Sequence, residues 1–331
     1  MNPNIDIVDI GEGDLTAVEI ADHFLSKRPK IKLEEILGIT YKSKKSIIVN
    51  PHRKLISDLT YVSPPDFGLL PDLQNEKEIR PLNSLVMAGR GCAFRCAYCV
   101  ESRFWQRKVR FFPPEQVIRN IKYLQEKFHM DYFHLPDSSL DIDEDYLTKL
   151  TSLLRKEVKN AYFMCNVSPH LINRRMIKLL KDANFAGVYM GMENCDDDVL
   201  KMMRRPTFEV TENAIKMCAR EKMSFIGGAL MVGLPKETEE TFKSGMEKFK
   251  RLVDFCLSNG TILHINPTTL TPYPGSELFH YPDKFGLTIL TKEYNLYNRS
   301  HVVHRTRLLS QQKIREMYIT LREEISNWYN G

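Results

Sequence analysis

From about residue 82 onward the chain repeats one alternation: a short apolar run, a helix-periodic stretch, then another apolar run. The runs are Leu82–Ala88, Asp131–Leu135, Ala161–Val167, Gly187–Met192, Phe225–Val232 and Ile262–Leu270. The helical stretches fall near 115–128, 143–157, 171–183, 209–222 and 238–257, and Pro113-Pro114-Glu115 marks one helix start, where proline is tolerated. Strands that alternate with helices pair in parallel, because each connection must cross back over the sheet. Six such units in roughly 190 residues suit an open barrel better than a closed eight-fold one. The expected fold is therefore α/β, a partial (β/α)6 TIM-like barrel.

The flanks read differently. Residues 1–80 form a short N-terminal α/β extension, with Asp14 capping a helix to about Lys27 and a β-branched strand at Ser46–Asn50. Ser63-Pro-Pro-Asp-Phe is a stiff linker. Residues 81–285 make the core, and 286–331 a C-terminal segment whose amphipathic helix spans Ser310–Trp328 and should pack on the body. With 331 residues, 43% hydrophobic and 27% charged, the composition is that of a globular protein. The longest apolar runs fall far short of the ~20 residues of a membrane span, and the N-terminus lacks signal-peptide zones. The net charge of +5 is spread along the chain and gives little support to a nucleic-acid surface. The expected compartment is the cytosol, where disulfides are rare.

Just after the first apolar run stands Cys92-Ala-Phe-Arg-Cys96-Ala-Tyr-Cys99, three cysteines in a C-x3-C-x2-C pattern. A [4Fe–4S] cube has four irons, each needing a ligand. Three thiolates leave one iron open to a non-protein ligand. Zinc or a redox dithiol is the other reading, but zinc wants a fourth Cys or His at a typical spacing, and no such pair lies nearby. Cys165, Cys195, Cys218 and Cys256 are isolated, which leaves no second local ligand set. The run falls at the C-terminal end of a strand, where parallel α/β architectures gather their chemistry.

The run and the following alternation resemble the radical S-adenosylmethionine (SAM) superfamily over about residues 82–280. The resemblance implies that the open iron binds the amino and carboxylate groups of SAM. It implies that reductive cleavage gives a 5′-deoxyadenosyl radical, which takes a hydrogen atom from a substrate. An electron donor such as flavodoxin or ferredoxin is implied with it. A barrel interior suits such chemistry because it excludes water.

Each strand end then acquires a reading. Cys92, Cys96 and Cys99 are the metal ligands. Tyr98 matches the family aromatic beside the adenine; otherwise it is a core aromatic. Asp137, in His134-Leu-Pro-Asp137, stands where the family binds the methionine ammonium, although the glycines of the family pattern are absent and Asp137 could instead cap a helix. Asn166 and Ser168 share one face of the third strand and resemble polar positions near SAM. Gly191-Met-Glu193 resembles the family segment whose carboxylate binds the ribose. Arg205, with Arg204 as its neighbouring alternative, fits the SAM carboxylate; a helix-terminal arginine meeting the dipole is the other account. Gly233-Leu-Pro resembles a glycine end that lets a backbone approach the ligand. His264, Asn266, Thr268 and Tyr273 are substrate candidates.

Upstream, Gly11-Glu-Gly-Asp, Ile36-Leu-Gly-Ile and Asn50-Pro-His-Arg resemble the segment that joins a cobalamin domain to the radical domain in the B12-dependent branch. The Asp-x-His-x-x-Gly signature of that domain is absent here, which argues against cobalamin within this chain. The expected function is hydrogen abstraction leading to rearrangement, elimination, decarboxylation or epimerisation of a metabolite or peptide. Cys165 and Cys195 are then candidate hydrogen donors, or else small buried apolar residues. The alternatives are a methyltransferase whose cobalamin arrives on another chain, and a non-catalytic iron–sulfur protein.

Overall fold

The computed structural model describes residues 4–44, 46–69 and 85–330. These fall into two compact units that divide between Pro64 and Pro65, inside the stretch read as a linker. The expected boundary at 80/81 lies outside the described residues.

The N-terminal unit is an antiparallel sheet in the order β1-β2-β3, from β1 (Ile7–Asp9), β2 (Ile39–Ser43) and β3 (Ser46–Val49), with helix α1 (Gly13–Leu25). Ile36, Ile39 and Tyr41 form its small core, with Ile7 and Ile20 packed against them. The helix starts two residues earlier than expected. Glu12 occupies the cap and Asp14 lies within the first turn, where its charge favours the helix dipole without capping.

The larger unit opens with β4 (Gly89–Arg90), helix α2 (Glu101–Phe104) and β5 (Arg110–Phe111), with β4 and β5 paired antiparallel. The alternation then follows: α3 (Pro114–Phe128), β6 (Tyr132–Leu135), α4 (Glu144–Glu157), β7 (Tyr162–Val167), α5 (Arg174–Asp182) and β8 (Phe185–Met190). After α6 (Asp197–Met202) come α7 (Phe208–Arg220), β9 (Phe225–Val232), α8 (Glu239–Ser258) and β10 (Ile262–Thr269). Among the described residues β6 to β10 make a five-stranded sheet in sequential order, every pair parallel. This is the expected partial barrel.

The first strand is the exception. Residues 82–84 lie outside the described residues, and Leu85 makes a single parallel bridge to His134. The reason is local. The N–H groups of Ala88 and Gly89 donate to the Asp137 carboxylate and so leave the ladder. The fourth strand runs two residues earlier than expected, at Phe185–Met190, because Gly191 and Glu193 turn out of it.

One face of the sheet packs on the helices. Phe133, Phe163 and Phe185 stack across three neighbouring strands, with centroids 5.9 and 5.3 Å apart. Against them lie Ile121 and Leu124 of α3, Leu147 and Leu150 of α4, and Ile177 of α5, all fully buried. Each contributes about 1.5–3 kcal/mol by leaving water. The chain ends with α9 (Glu277–His280), the pair β11 (Leu287–Ile289) and β12 (His304–Thr306), and α10 (Gln311–Asn330). Helix α10 packs on β10, β9 and α8 through Ile314, Met317, Leu321 and Ile325, the amphipathic face expected of it. No described helix is long and apolar enough to cross a membrane.

Candidate functional site

A cavity of about 570 Å³ opens at the C-terminal ends of β6, β7 and β8, a size typical of small-molecule sites. Its wall includes Cys92, Cys96 and Cys99 from the cysteine loop, Tyr98, Asp137, Asn166 and Ser168, then Tyr189, Glu193 and Arg205. The parallel sheet brings them together by aligning every strand end on one side.

Tyr98, Glu193 and Arg205 form one group. The Tyr98 hydroxyl donates to Glu193 Oε1 at 2.6 Å, and Arg205 Nη2 lies 3.6 Å from the same oxygen. Arg205 also donates to the Gly191 carbonyl at 3.1 Å and to Cys96 Sγ at 3.5 Å. Its buried Nε has no partner among the described residues. Glu193 is held with φ 55°, a left-handed backbone that non-glycine residues adopt at some cost. Its N–H donates to Ala229 O and its carbonyl accepts from Met231 N, so β9 sustains the strained turn. Gly191 is required by close approach: a Cβ there would overlap Arg205 Nη2 and Glu193 Oε1. Burial works against the Arg205 charge, yet Tyr98, Glu193 and Cys96 raise its pKa overall. Burial first, and then the Glu193 charge, push the Tyr98 phenol well up, so it stays a donor. Arg204 turns the other way, with φ 57°, and binds Glu277 and the Arg95 carbonyl outside the cavity.

Asp137 uses its two oxygens on the N–H groups of Ala88 and Gly89. Burial raises its pKa to about 6 against those donors. Asn166 bridges β6 and β7, with Oδ1 3.2 Å from His134 Nε2 and Nδ2 donating to Pro136 O at 3.2 Å. Ser168 sits on a buried anchor that the sequence did not reveal, Asp141. That carboxylate accepts the Ser168 N–H at 2.9 Å and the Ser139 hydroxyl, and burial raises its pKa to about 6. None of the four substrate candidates lines the cavity; Asn266 stands behind its wall, donating to Tyr189 Oη at 3.0 Å while His264 Nε2 lies 3.0 Å from its Oδ1.

Three residues from the sequence reading lie elsewhere. Gly233, with φ 82°, is pressed against Ile314 and His304 of the C-terminal segment and does not line the cavity. Its N–H donates to Glu237 at 2.6 Å, and its carbonyl faces His304 Nε2 at 2.8 Å. Cys165 is fully buried on the helix-facing side of β7. Cys195 is buried under α8, donating to the Gly245 carbonyl at 3.5 Å. Neither lines the cavity. A further buried acid was missed: Glu237 accepts from Asn194 Nδ2 at 2.8 Å and from Gly233 and Leu234 N–H groups. It ties the Glu193 turn to the end of β9. Its only sequence signal was its position four residues past Gly233.

Residues 86–249 match the family model described as the radical SAM superfamily. This stretch is a radical SAM domain. An uncharacterized methyltransferase of Pyrococcus horikoshii is 25% identical over 316 residues, covering 95% of this chain and 66% of that protein. The structure of the radical SAM methyltransferase TsrM from Kitasatospora setae, with cobalamin and a [4Fe–4S] cluster bound, gives a TM-score of 0.70 at 16% identity, over 95% of this chain and 63% of that one. The cobalamin-dependent SAM radical enzyme OxsB, with aqua-cobalamin and SAM bound, gives 0.73 at 13% identity, over 97% and 51%. These structures share its fold, and the chain spans from 51% to 66% of the length of these three relatives.

The residues fit the [4Fe–4S] cluster and SAM of the superfamily. Three thiols line one cavity, and an unpartnered buried N–H of Arg205 stands beside them. Burial pushes Cys99 to about 12 and raises Cys92, which disfavours their bare thiolates; a bound cation would stabilise them.

Proposed function

We propose that the protein is a radical SAM enzyme that cleaves SAM reductively and abstracts a hydrogen atom from a small molecule or peptide, with rearrangement, elimination, decarboxylation or epimerisation following. The observation that carries this reading is that Cys92, Cys96, Cys99, Glu193 and Arg205 line one cavity, with Arg205 Nη1 at 3.5 Å from Cys96 Sγ. When bound, the reduced cluster supplies the electron that splits the SAM sulfonium into methionine and a 5′-deoxyadenosyl radical.

In this reading the chain's own residues orient SAM and keep water out. Cys92, Cys96 and Cys99 would hold three irons of the cluster. Arg205 offers its unpartnered Nε–H to the SAM carboxylate, and its planar fork suits that group. Asp137 faces the ammonium; its pKa of about 6 leaves it mostly ionised at neutral pH. Glu193, steadied by Tyr98, would take the ribose hydroxyls, and the Tyr98 ring would serve the adenine. Asn166 and Ser168 complete the polar wall, while Tyr189, braced from behind by Asn266, faces the substrate side. The electron comes from a flavodoxin- or ferredoxin-type donor, and the expected compartment is the cytosol.

The likeness of nearly the whole chain to the Pyrococcus horikoshii protein, named a methyltransferase, and to the fold of TsrM supports a second reading. In it, methyl transfer uses cobalamin held by a domain beyond these 331 residues, on the same or another chain.

Anaerobic reconstitution, reduction and addition of SAM separate the two. 5′-Deoxyadenosine formed without cobalamin supports the first reading. S-adenosylhomocysteine formed only with methylcobalamin supports the second. A fully loaded, reducible cluster that never cleaves SAM, either alone or with methylcobalamin and a cobalamin-carrying domain supplied, would defeat both.

A further inference from the structure

The cysteine loop is bordered by basic side chains that the cavity does not use. Arg95, between Cys92 and Cys96, is exposed. Helix α2, two residues past Cys99, carries exposed Arg103, and the following turn adds exposed Arg107 and Lys108. Among the described residues no acid pairs with any of the four. The nearby acids are already engaged. Glu101 accepts the Trp105 indole N–H at 2.8 Å, and Glu277 is shared by Arg204 at 2.6 Å and Lys284 at 3.0 Å. The local surplus is positive.

The turn that carries these groups is built onto the cysteine loop. Arg107 N donates to Ser102 O at 2.7 Å and Lys108 N to Trp105 O at 2.9 Å. Gln106 and Arg107 both hold left-handed backbones, φ 50° and 59°. The Lys108 carbonyl packs directly on Gly91, the residue before Cys92. Phe104 stands 45% exposed within the same surface. An exposed apolar side chain next to Arg103 in a stretch rich in exposed cations suits a transient protein contact with a negatively charged partner.

The proposed reaction consumes one electron per SAM cleaved. We infer that Arg95, Arg103, Arg107 and Lys108 form the docking surface for an acidic one-electron carrier protein, seated over the cysteine loop. One electron leaves the carrier, which is oxidised, and enters the cluster, which is reduced; no atom is transferred. This inference rests on the reading of Cys92, Cys96 and Cys99 as cluster ligands.

The test uses the full reconstituted chain with reduced flavodoxin as the probe. Arg95 is left intact because it adjoins Cys96. The triple variant Arg103→Glu/Arg107→Glu/Lys108→Glu should bind flavodoxin about 10- to 100-fold more weakly and accept its electron correspondingly more slowly. The Gln triple variant should fall between it and wild type, and wild-type affinity should drop as salt rises. Cluster reduction by dithionite should be unchanged in both variants, which also reports that they fold and load iron. Unaltered flavodoxin affinity overturns the inference, as does an equal loss with dithionite. Loss of single-stranded nucleic-acid binding with flavodoxin binding intact overturns it too, and assigns the surface to nucleic acid. A wild-type protein that loads no cluster defeats the cluster reading instead, and the flavodoxin affinities still judge the surface.

Discussion

Tyr98 and Glu193, ninety-five positions apart, share a 2.6 Å hydrogen bond from phenol to carboxylate. The bond joins the residue before the third cysteine to the end of the fourth helix-flanked strand. Arg205 adds a second tie from Glu193 back to Cys96. The geometry of the cysteine loop and that of the strand end are therefore set together. Glu193 pays a backbone cost for its position, and a strained residue held by two β9 hydrogen bonds at a cavity wall is where function is expected.

Tyr98→Phe removes the hydroxyl and keeps the ring packed against the apolar cluster that contains Ala97, Val199 and Met203. Glu193 retains Arg205, so the fold should lose no more than about 1 kcal/mol. SAM affinity should fall roughly 10-fold, since the carboxylate loses one of its two orienting partners. Equilibrium binding of SAM to the reconstituted variant measures this. Unchanged affinity would mean that Glu193 does not contact the ligand.

Gly191→Ala tests the close approach beneath the ion pair. Its Cβ would occupy the space of Arg205 Nη2 and Glu193 Oε1, while the Gly191 carbonyl would still bind the guanidinium. The pair must move by a fraction of an ångström, and displacement on that scale can lower turnover about 100-fold. Iron content should match wild type, because the cysteines are untouched. A variant with normal iron and normal SAM cleavage would show that the position of the pair is unimportant.

Glu237 predicts a pH signature in stability. Burial raises its pKa from 4.5 to about 7, although Gly233, Asn194 and Leu234 all donate to it. The folded protein thus keeps a proton that the unfolded chain releases between about pH 4.5 and 7. Stability falls as pH rises through that window and levels off above it, by roughly 3 kcal/mol in all. Asp137 and Asp141, each raised from 3.8 to about 6, slope the same way at lower pH. Glu237→Gln cannot titrate, so the stability difference between it and wild type should vary from pH 5 to pH 7.5. A constant difference from denaturant melts would contradict the raised value.

The elements were legible where the signal is local. Phe225–Val232 was read residue for residue, because a continuous apolar run with turn residues at its end leaves few alternatives. That the three cysteines share one cavity was legible because they fall within eight residues of one loop. What escaped depends on where backbone donors point in space. Asp141, in the 3-10 turn Leu140–Ile142, and Glu237 sit between strand and helix, and nothing in their neighbours announces that buried N–H groups converge on them. The choice between Arg204 and Arg205 needed the left-handed turn at Arg204, which sends one side chain outward and the other into the cavity. Arg299 reaches the cavity wall from the C-terminal segment because Thr269 binds its carbonyl, a contact between distant positions that no periodicity encodes.

The two candidate hydrogen donors give the last prediction. Cys195 gives its thiol hydrogen to the Gly245 carbonyl, and Cys165 lies among the residues that seal the sheet against its helices. Cys195→Ala and Cys165→Ala should therefore leave 5′-deoxyadenosine formation within about two-fold of wild type. Their cost should appear in stability, about 1–2 kcal/mol each for a small buried group lost from a packed interior. Cys165→Ser should be worse than Cys165→Ala, because it buries a hydroxyl among apolar neighbours. Turnover in D2O discriminates further, since a thiol exchanges its hydrogen with solvent and would deliver deuterium to the product. If solvent deuterium enters the product in wild type and disappears in either alanine variant while the melt is preserved, that thiol reaches the substrate and the sealed position described here opens during the reaction.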